Sequence, residues 1–186
     1  VSNDPKDRLV WLDMEMTGLS VDACVPLQVA MVVTNGELVE LDALELTVWQ
    51  PDSRLETMEP FVRKMHTTNG LLEQVRRSEV SVADAERQLM AMLVKWTGYR
   101  EGILCGNSIH QDRKFLERYF PLVDGFLHYR MIDVSSLKEL AKRWYGSEAS
   151  FNKGRGLHTA LSDIRESIQE LQHYRATVLR PVTAKS

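Results

Sequence analysis

Two short apolar runs stand out near the start of the chain. Residues 8–13 read Arg-Leu-Val-Trp-Leu-Asp, and residues 29–34 form a β-branched apolar stretch; both predict buried strands. Asn35-Gly36 follows the second run, and residues 38–48 resume the apolar pattern, so a hairpin is expected between them. The first third thus predicts an antiparallel meander. The spacing then changes from strand to helix. Val82, Ala85, Leu89, Met92, Leu93 and Trp96 recur at helical intervals across 81–96, and Ser81 with Asp84 resembles a capping box. Residues 103–105 form a short apolar strand ending at Gly106. Residues 108–120 predict a helix with Phe115, Leu116, Tyr119 and Phe120 on one side, stopped by Pro121. Residues 131–134 predict another strand. Ser136 with Glu139 then makes a second capping pattern ahead of Leu137, Leu140, Ala141 and Trp144. A Gly- and Ser-containing loop over 146–157 leads to a last helix over 159–175, with Leu161, Ile164, Ile168 and Leu171 inward.

Three strands followed by helices alternating with strands predict an α/β domain built on a mixed central sheet with flanking helices. No internal repeat and no Gly/Ser- or Pro-rich linker divides the chain. Residues 1–186 are therefore expected to form one domain, its core over about 8–175, with a flexible tail beyond Arg175.

Charge narrows the function classes. Lys and Arg number 23 against 26 Asp and Glu, a formal net charge of -3. A protein that coats long nucleic acid carries a basic excess, because its affinity comes from neutralising many phosphates. A small nucleic-acid substrate gripped at a few points stays open. Cys24 and Cys105 are far apart and form no CxxC, which fits free thiols in a reducing cytoplasm better than a disulfide or zinc scaffold. The N-terminal residues show no apolar signal region, and the uncharged stretch 23–36 is too short to span a bilayer. A cytoplasmic location without membrane contact is expected.

The candidate chemistry is acidic. Asp13 and Glu15 end the first strand, and strand alternation points both to the same face. Two adjacent carboxylates at the end of an apolar strand need water or a cation, and such oxygen donors suit hard ions. A strand end emerging into solvent is the plainer alternative. Asp112 follows Gly106-Asn107-Ser108 at the C-terminal end of a strand, where open α/β sheets bind ligands, although an acid there also complements a helix dipole. His158 and Asp163 frame the start of the last helix. A histidine with a reference pKa of about 6.5 suits a base at neutral pH, and an isolated one is as readily a solvated loop residue.

Taken together in this order, two acids on a strand, one acid after a later strand and His-x₄-Asp at the last helix resemble the DEDDh class of 3′-to-5′ exonucleases. The blocks Trp-Leu-Asp-Met-Glu-Met-Thr-Gly-Leu (11–19), Cys-Gly-Asn-Ser-Ile-His-Gln-Asp (105–112), His-Tyr-Arg-Met-Ile-Asp-Val-Ser (128–135) and Asp-Ile-Arg-Glu-Ser (163–167) are similar to the oligoribonuclease family within that class. The resemblance implies a ribonuclease H-like fold and hydrolysis of very short RNA, down to dinucleotides, to 5′-mononucleotides. It implies two divalent ions, Mg²⁺ or Mn²⁺, held by Asp13, Glu15, Asp112 and Asp163, with His158 as general base. It implies that Leu19 and Phe61 sandwich bases, that Ser108, Arg130 and Ser135 cap the 5′ phosphate, and that His66 is a lesser substrate contact. Tyr129 would reach the neighbouring subunit's site, which implies a homodimer. On isolated grounds Phe61 reads as core, Arg130 as a surface salt bridge and His66 as a solvated helix-end residue. Three positions depart from the family pattern: Phe61 stands where Trp is usual, Gln28 where Glu is usual, and Ser162 where an acid is usual. None is among the five positions the chemistry needs.

Three rival readings share parts of this evidence. A DEDDh proofreading exonuclease on DNA would use the same five residues and differ in substrate grip. A non-catalytic module on the same fold would be expected to have lost some of the acids, and all four stand here. A metal-dependent phosphatase would lack base-stacking residues.

Overall fold

The computed structural model describes residues 5–152 and 159–179. Three long strands come first: β1 (Leu9–Met16), β2 (Pro26–Thr34) and β3 (Glu40–Thr47). Four helices follow, α1 (Asp52–Leu55), α2 (Pro60–Thr68), α3 (Leu71–Arg77) and α4 (Val82–Trp96). Then come β4 (Ile103–Gly106), α5 (His110–Tyr119), α6 (Pro121–Phe126), β5 (Met131–Asp133), α7 (Val134–Tyr145) and α8 (Ala160–Thr177). The strands form one sheet in the order β3-β2-β1-β4-β5. β1, β2 and β3 pair antiparallel, as the meander predicts, while β4 and β5 are parallel to β1. This is the expected mixed sheet.

Side-chain alternation divides the core between the two faces. Val10, Leu12 and Met14 of β1 pack with Val29, Met31 and Val33 of β2 against Leu89 and Leu93 of α4 and Phe115 of α5. Trp11 of β1 points the other way and packs with Ala30 and Val32 against Val134 of α7 and Ile164 and Ile168 of α8. The same parity sends Asp13 and Glu15 to the α8 face. With helices on both faces, β2 is buried at every position, which explains its continuous apolar run. The indole N–H of buried Trp11 donates to Thr34 Oγ1 at 3.0 Å, so the largest core residue leaves no unpaired donor.

Several local expectations change. The β2–β3 connection is longer than a two-residue Asn-Gly hairpin: Asn35 Oδ1 accepts from the backbone N–H groups of Glu37 and Val39, and Leu38 adopts φ +64°. Buried Leu38 packs into the core, and this anchorage accompanies the left-handed conformation. Helices α1 to α3 lie where the pattern gives no helix. They pack Leu55, Met58, Leu71, Leu72 and Val75 on Leu27 in a small separate cluster. Helix α7 starts immediately after β5 and is capped by Asp133, whose side chain accepts from Ser135 N at 2.9 Å, rather than by Ser136. Ser81 does cap α4, with Asp84 completing the box. Among the described residues no helix is long and apolar enough to cross a membrane.

Candidate active site

β1 pairs with β4 only over Leu9–Trp11, so its last residues run past the parallel partner. Gly106 ends β4 where a Cβ would lie 2.9 Å from the Leu12 carbonyl, and any larger residue would push the two strands apart. Asp13 and Glu15 therefore stand at the C-terminal edge of the parallel pair, the usual ligand end of such a sheet.

Two helix starts complete the acidic group. Asp163 lies in the first turn of α8, and its carboxylate lies with those of Asp13 and Glu15 so that one oxygen from each falls within 4.8 Å of the others. The start of α8 is held from three directions. Thr159 and Ser162 form a reciprocal cap, Gln28 Oε1 on β2 accepts from Ala160 N at 3.1 Å, and Glu45 Oε1 on β3 accepts from Leu161 N at 2.9 Å. Asp112, in the first turn of α5, is buried and accepts from Met14 N at 3.0 Å, between the two β1 acids.

These carboxyls resist full ionisation. Burial, then the charges of Asp163 and Asp112, pushes Glu15 up to about 7. Burial pushes Asp112 upward as well, against the backbone N–H of Met14 and its own, which favour its charged form. Three acids meeting on a partly dry strand end, with the charge of buried Asp112 felt by Glu15, need positive charge to ionise together. Carboxylate oxygens this close are a donor set for a hard divalent cation. The residues present fit such an ion.

Around this cluster the other predicted residues divide. His66 is completely buried rather than solvated; its Nε2 donates to the Met16 carbonyl at 3.0 Å and lies 3.9 Å from Glu15 Oε2. Burial lowers its pKa, against the Met16 bond, so the ring is neutral. Leu19 lines an open groove with Met14, Glu15, Met16, Val62 and Met65, and is 69% exposed. Phe61, beside Val62, is 76% exposed, so it is not core. Ser108 and Ser135 are brought together: Ser108 N donates to Ser135 Oγ at 3.0 Å and to Asp133 Oδ1 at 2.9 Å. Tyr129 is exposed, stacked on His128, with the Arg130 guanidinium 5.4 Å from its ring centre. Among the described residues Arg130 forms no salt bridge and no bond to either serine. His158 lies outside the described residues, as do residues 180–186 of the tail.

Sequence reading alone misses the residues that hold this frame. Asn107, Gln28 and Glu170 bond to groups far away in the chain. Glu170 does carry a signal: it falls on the inward face of α8, two turns after Asp163, where an acid has no reason to be unless it is partnered.

The RNase_T exonuclease family model matches residues 10–171. The oligoribonuclease of Azoarcus sp. (strain BH72) is 45% identical over 181 residues, covering 97% of this chain and 99% of that one. The oligoribonuclease of Francisella tularensis subsp. tularensis (strain WY96-3418) is 44% identical over 174 residues, covering 93% and 97%. Among solved structures, exonuclease I of Methylocaldum szegediense matches with a TM-score of 0.71 at 14% identity, covering 92% of this chain and 41% of that one. E. coli exonuclease I in complex with a dT13 oligonucleotide matches at 0.70 and 13% identity, covering 92% and 41%. The chain thus spans about two-fifths of the exonuclease I chains, and at such identity the likeness is one of fold. That fold is the ribonuclease H-like exonuclease fold.

Proposed function

The chain belongs to the oligoribonuclease family of RNase_T exonucleases, and from that premise we propose that it hydrolyses very short oligoribonucleotides, dinucleotides above all, from the 3′ end to 5′-mononucleotides. It is a phosphodiester hydrolase of a family in which metal dependence is general. The observation that carries the finer reading is the meeting of Asp13, Glu15 and Asp163, with Asp112 gripping the backbone between the first two.

In this reading Asp13, Glu15, Asp112 and Asp163 hold two divalent ions, Mg²⁺ or Mn²⁺. Bound ions of this kind supply charge that polarises a phosphodiester and makes water a stronger acid. The side chains do the rest. Glu15 and Asp112 would give up their protons to bind such ions, since burial raises both carboxyls, with the charges of Asp163 and Asp112 adding for Glu15 and that of Asp133 for Asp112. His158, next in the chain to the cap residue Thr159, takes the proton from the attacking water. Exposed Leu19 and Phe61 sandwich bases, a contact that tolerates any sequence. Buried His66 holds the loop after β1 at the edge of the groove through Met16. Ser108 and Ser135 receive the 5′ phosphate, and the planar fork of Arg130 is suited to close on it. Tyr129 serves the site of a second copy, so the working form is a homodimer. Half-buried Cys24 and buried Cys105, both free thiols, suit action in the cytoplasm. Residues 1–186 act as one exonuclease domain.

Product analysis on a 3′-labelled RNA series of two to twenty nucleotides tests this. We expect mononucleotide release that requires Mg²⁺ or Mn²⁺ and falls steeply beyond a few residues. Full turnover in excess chelator, or equal rates on dinucleotides and 20-mers, would refute it. A deoxyribonucleotide series run alongside separates the DNA proofreading alternative.

A further inference from the structure

Glu170 on α8 has no solvent-exposed surface. An unpaired carboxylate there would be costly, yet this one receives three donors: Tyr174 Oη at 2.8 Å, Asn107 Nδ2 at 3.0 Å and Lys138 Nζ at 3.1 Å. Burial pushes its pKa up, but these donors outweigh burial and hold the carboxyl below its usual range, so Glu170 is an acceptor only.

This fixes the orientation of Asn107. Its amide must turn Nδ2 toward Glu170, and the second N–H of that group reaches Ser167 Oγ at 2.9 Å. The Ser167 hydroxyl in turn donates to the carbonyl of Asp163 at 2.9 Å. The Asn107 Oδ1 is left facing Ser135, which donates to it at 3.1 Å, and Ser135 Oγ in turn accepts from Ser108 N at 3.0 Å. An unbroken chain of hydrogen bonds therefore runs from the backbone of Asp163 to Ser108. Ser108 holds φ +51°, a conformation that a serine keeps only when its surroundings fix it.

We infer that Glu170 and Asn107 are positioning residues that set the separation between the acidic cluster and the Ser108–Ser135 pocket, and that this fixed separation selects the shortest substrates. The inference rests on the reading of that pocket as the 5′-phosphate site. One end of the chain is the turn carrying Asp163, and the other is the pocket. A substrate that spans both is favoured only while the span is rigid. A longer RNA, whose 5′ end lies elsewhere, gains nothing from it.

Glu170→Gln tests this, because a glutamine amide keeps the shape and permits a donor to face Asn107, flipping its amide and breaking the link to Ser135. The readout is kcat/KM on a 5′-phosphorylated dinucleotide relative to a seven-nucleotide RNA. A p-nitrophenyl ester of a nucleoside 5′-monophosphate, which lacks the terminal phosphate, reports the acidic cluster alone. We expect the dinucleotide preference to fall about tenfold, through KM, with the ester's kcat within about twofold of the parent. Tyr174→Phe, which removes one donor to Glu170 and spares Asn107, should lower Tm and leave the preference intact. Should Glu170→Gln fail to fold, half-buried Asn107→Ala breaks the same chain and carries the same expectation. A parent enzyme without a dinucleotide preference would overturn the underlying functional reading. A parent with it, and a folded Glu170→Gln or Asn107→Ala that retains it within twofold, would overturn this inference alone. Equal loss on all three substrates would also overturn it, since that marks a purely structural role.

Discussion

In excess chelator the protein should melt at a lower temperature at pH 8 than at pH 5. The folded chain holds the Glu15 carboxyl at about 7, whereas its usual value is 4.5. The folded state therefore binds this proton more tightly than the unfolded chain does. Stability is fully present below about pH 4.5 and is lost as pH rises through about 7. The displacement corresponds to about 3 kcal/mol, for a side chain that is only 14% exposed. Asp112, shifted the same way, adds to the fall. For a chain of this size each kcal/mol moves Tm by about 2–4 °C, so a drop of about 6–12 °C is expected between the two pH values. Saturating Mn²⁺ should raise Tm at pH 8, by about 2.7 kcal/mol of binding energy at a hundredfold excess over Kd, and much less at pH 5 where protons compete. Glu15→Gln should melt higher than the parent in chelator at pH 8 and respond more weakly to Mn²⁺. Differential scanning fluorimetry across pH, with and without metal, measures all of this. A Tm in chelator that is flat or rises with pH, or a Glu15→Gln variant with an undiminished fall, would show that the acidic cluster is not under electrostatic strain.

The substrate-facing residues give further tests. His158→Ala should lose about 10²–10⁴-fold in kcat with KM within about twofold, read by steady-state kinetics on a dinucleotide. Phe61→Ala should raise the dinucleotide KM about tenfold, as the loss of one stacking contact worth about 1–3 kcal/mol, with Tm unchanged because the ring is 76% exposed. Arg130→Ala should slow hydrolysis of dinucleotides more than of seven-nucleotide RNA, so that the rate ratio between them shrinks in a labelled length series.

Legibility followed how locally each feature is determined. β1 and β2 are readable because both faces are covered and nearly every position must be apolar. α4 is readable because Ala85, Leu89, Met92 and Leu93 keep one period over more than two turns against the main core. α1 to α3 are not, since their few apolar residues serve a small cluster around Leu27 and no single stripe runs through them. The α7 cap differs from the Ser136 pattern because Asp133 is at once the last residue of β5 and the cap, and sequence spacing offers no sign of such sharing. At the site, strand parity pairs Asp13 with Glu15, whereas Asp112 and Asp163 at their helix starts read equally as dipole partners, and only the family resemblance joins them to the pair. Phe61 misleads when taken alone, because an isolated aromatic is usually core and its exposure is decided by which way α2 faces. Asn107 and Glu170 are 63 residues apart, and their pairing follows from the packing of α8 beside β4, which no local pattern encodes.

Gln28 and Ser162, two departures from the family pattern, act in one direction. By that resemblance each stands where an acid is usual, Gln28 across the ladder from Glu15 and Ser162 next in the chain to Asp163, and each neutral side chain bonds to the start of α8. Gln28 lies across the ladder from Glu15 and from Thr47, and it still accepts from Ala160 N while its Nε2 donates to Thr47 Oγ1 at 3.4 Å. A glutamate there would gain from the positive helix end but lose that donation. It would also set another negative charge opposite Glu15, whose pKa burial and then two carboxylates already raise. Ser162 keeps the reciprocal bond with Thr159 that an acid at the third helical position would make. The departures leave the converging acids in place and remove two charges that would otherwise add to their repulsion.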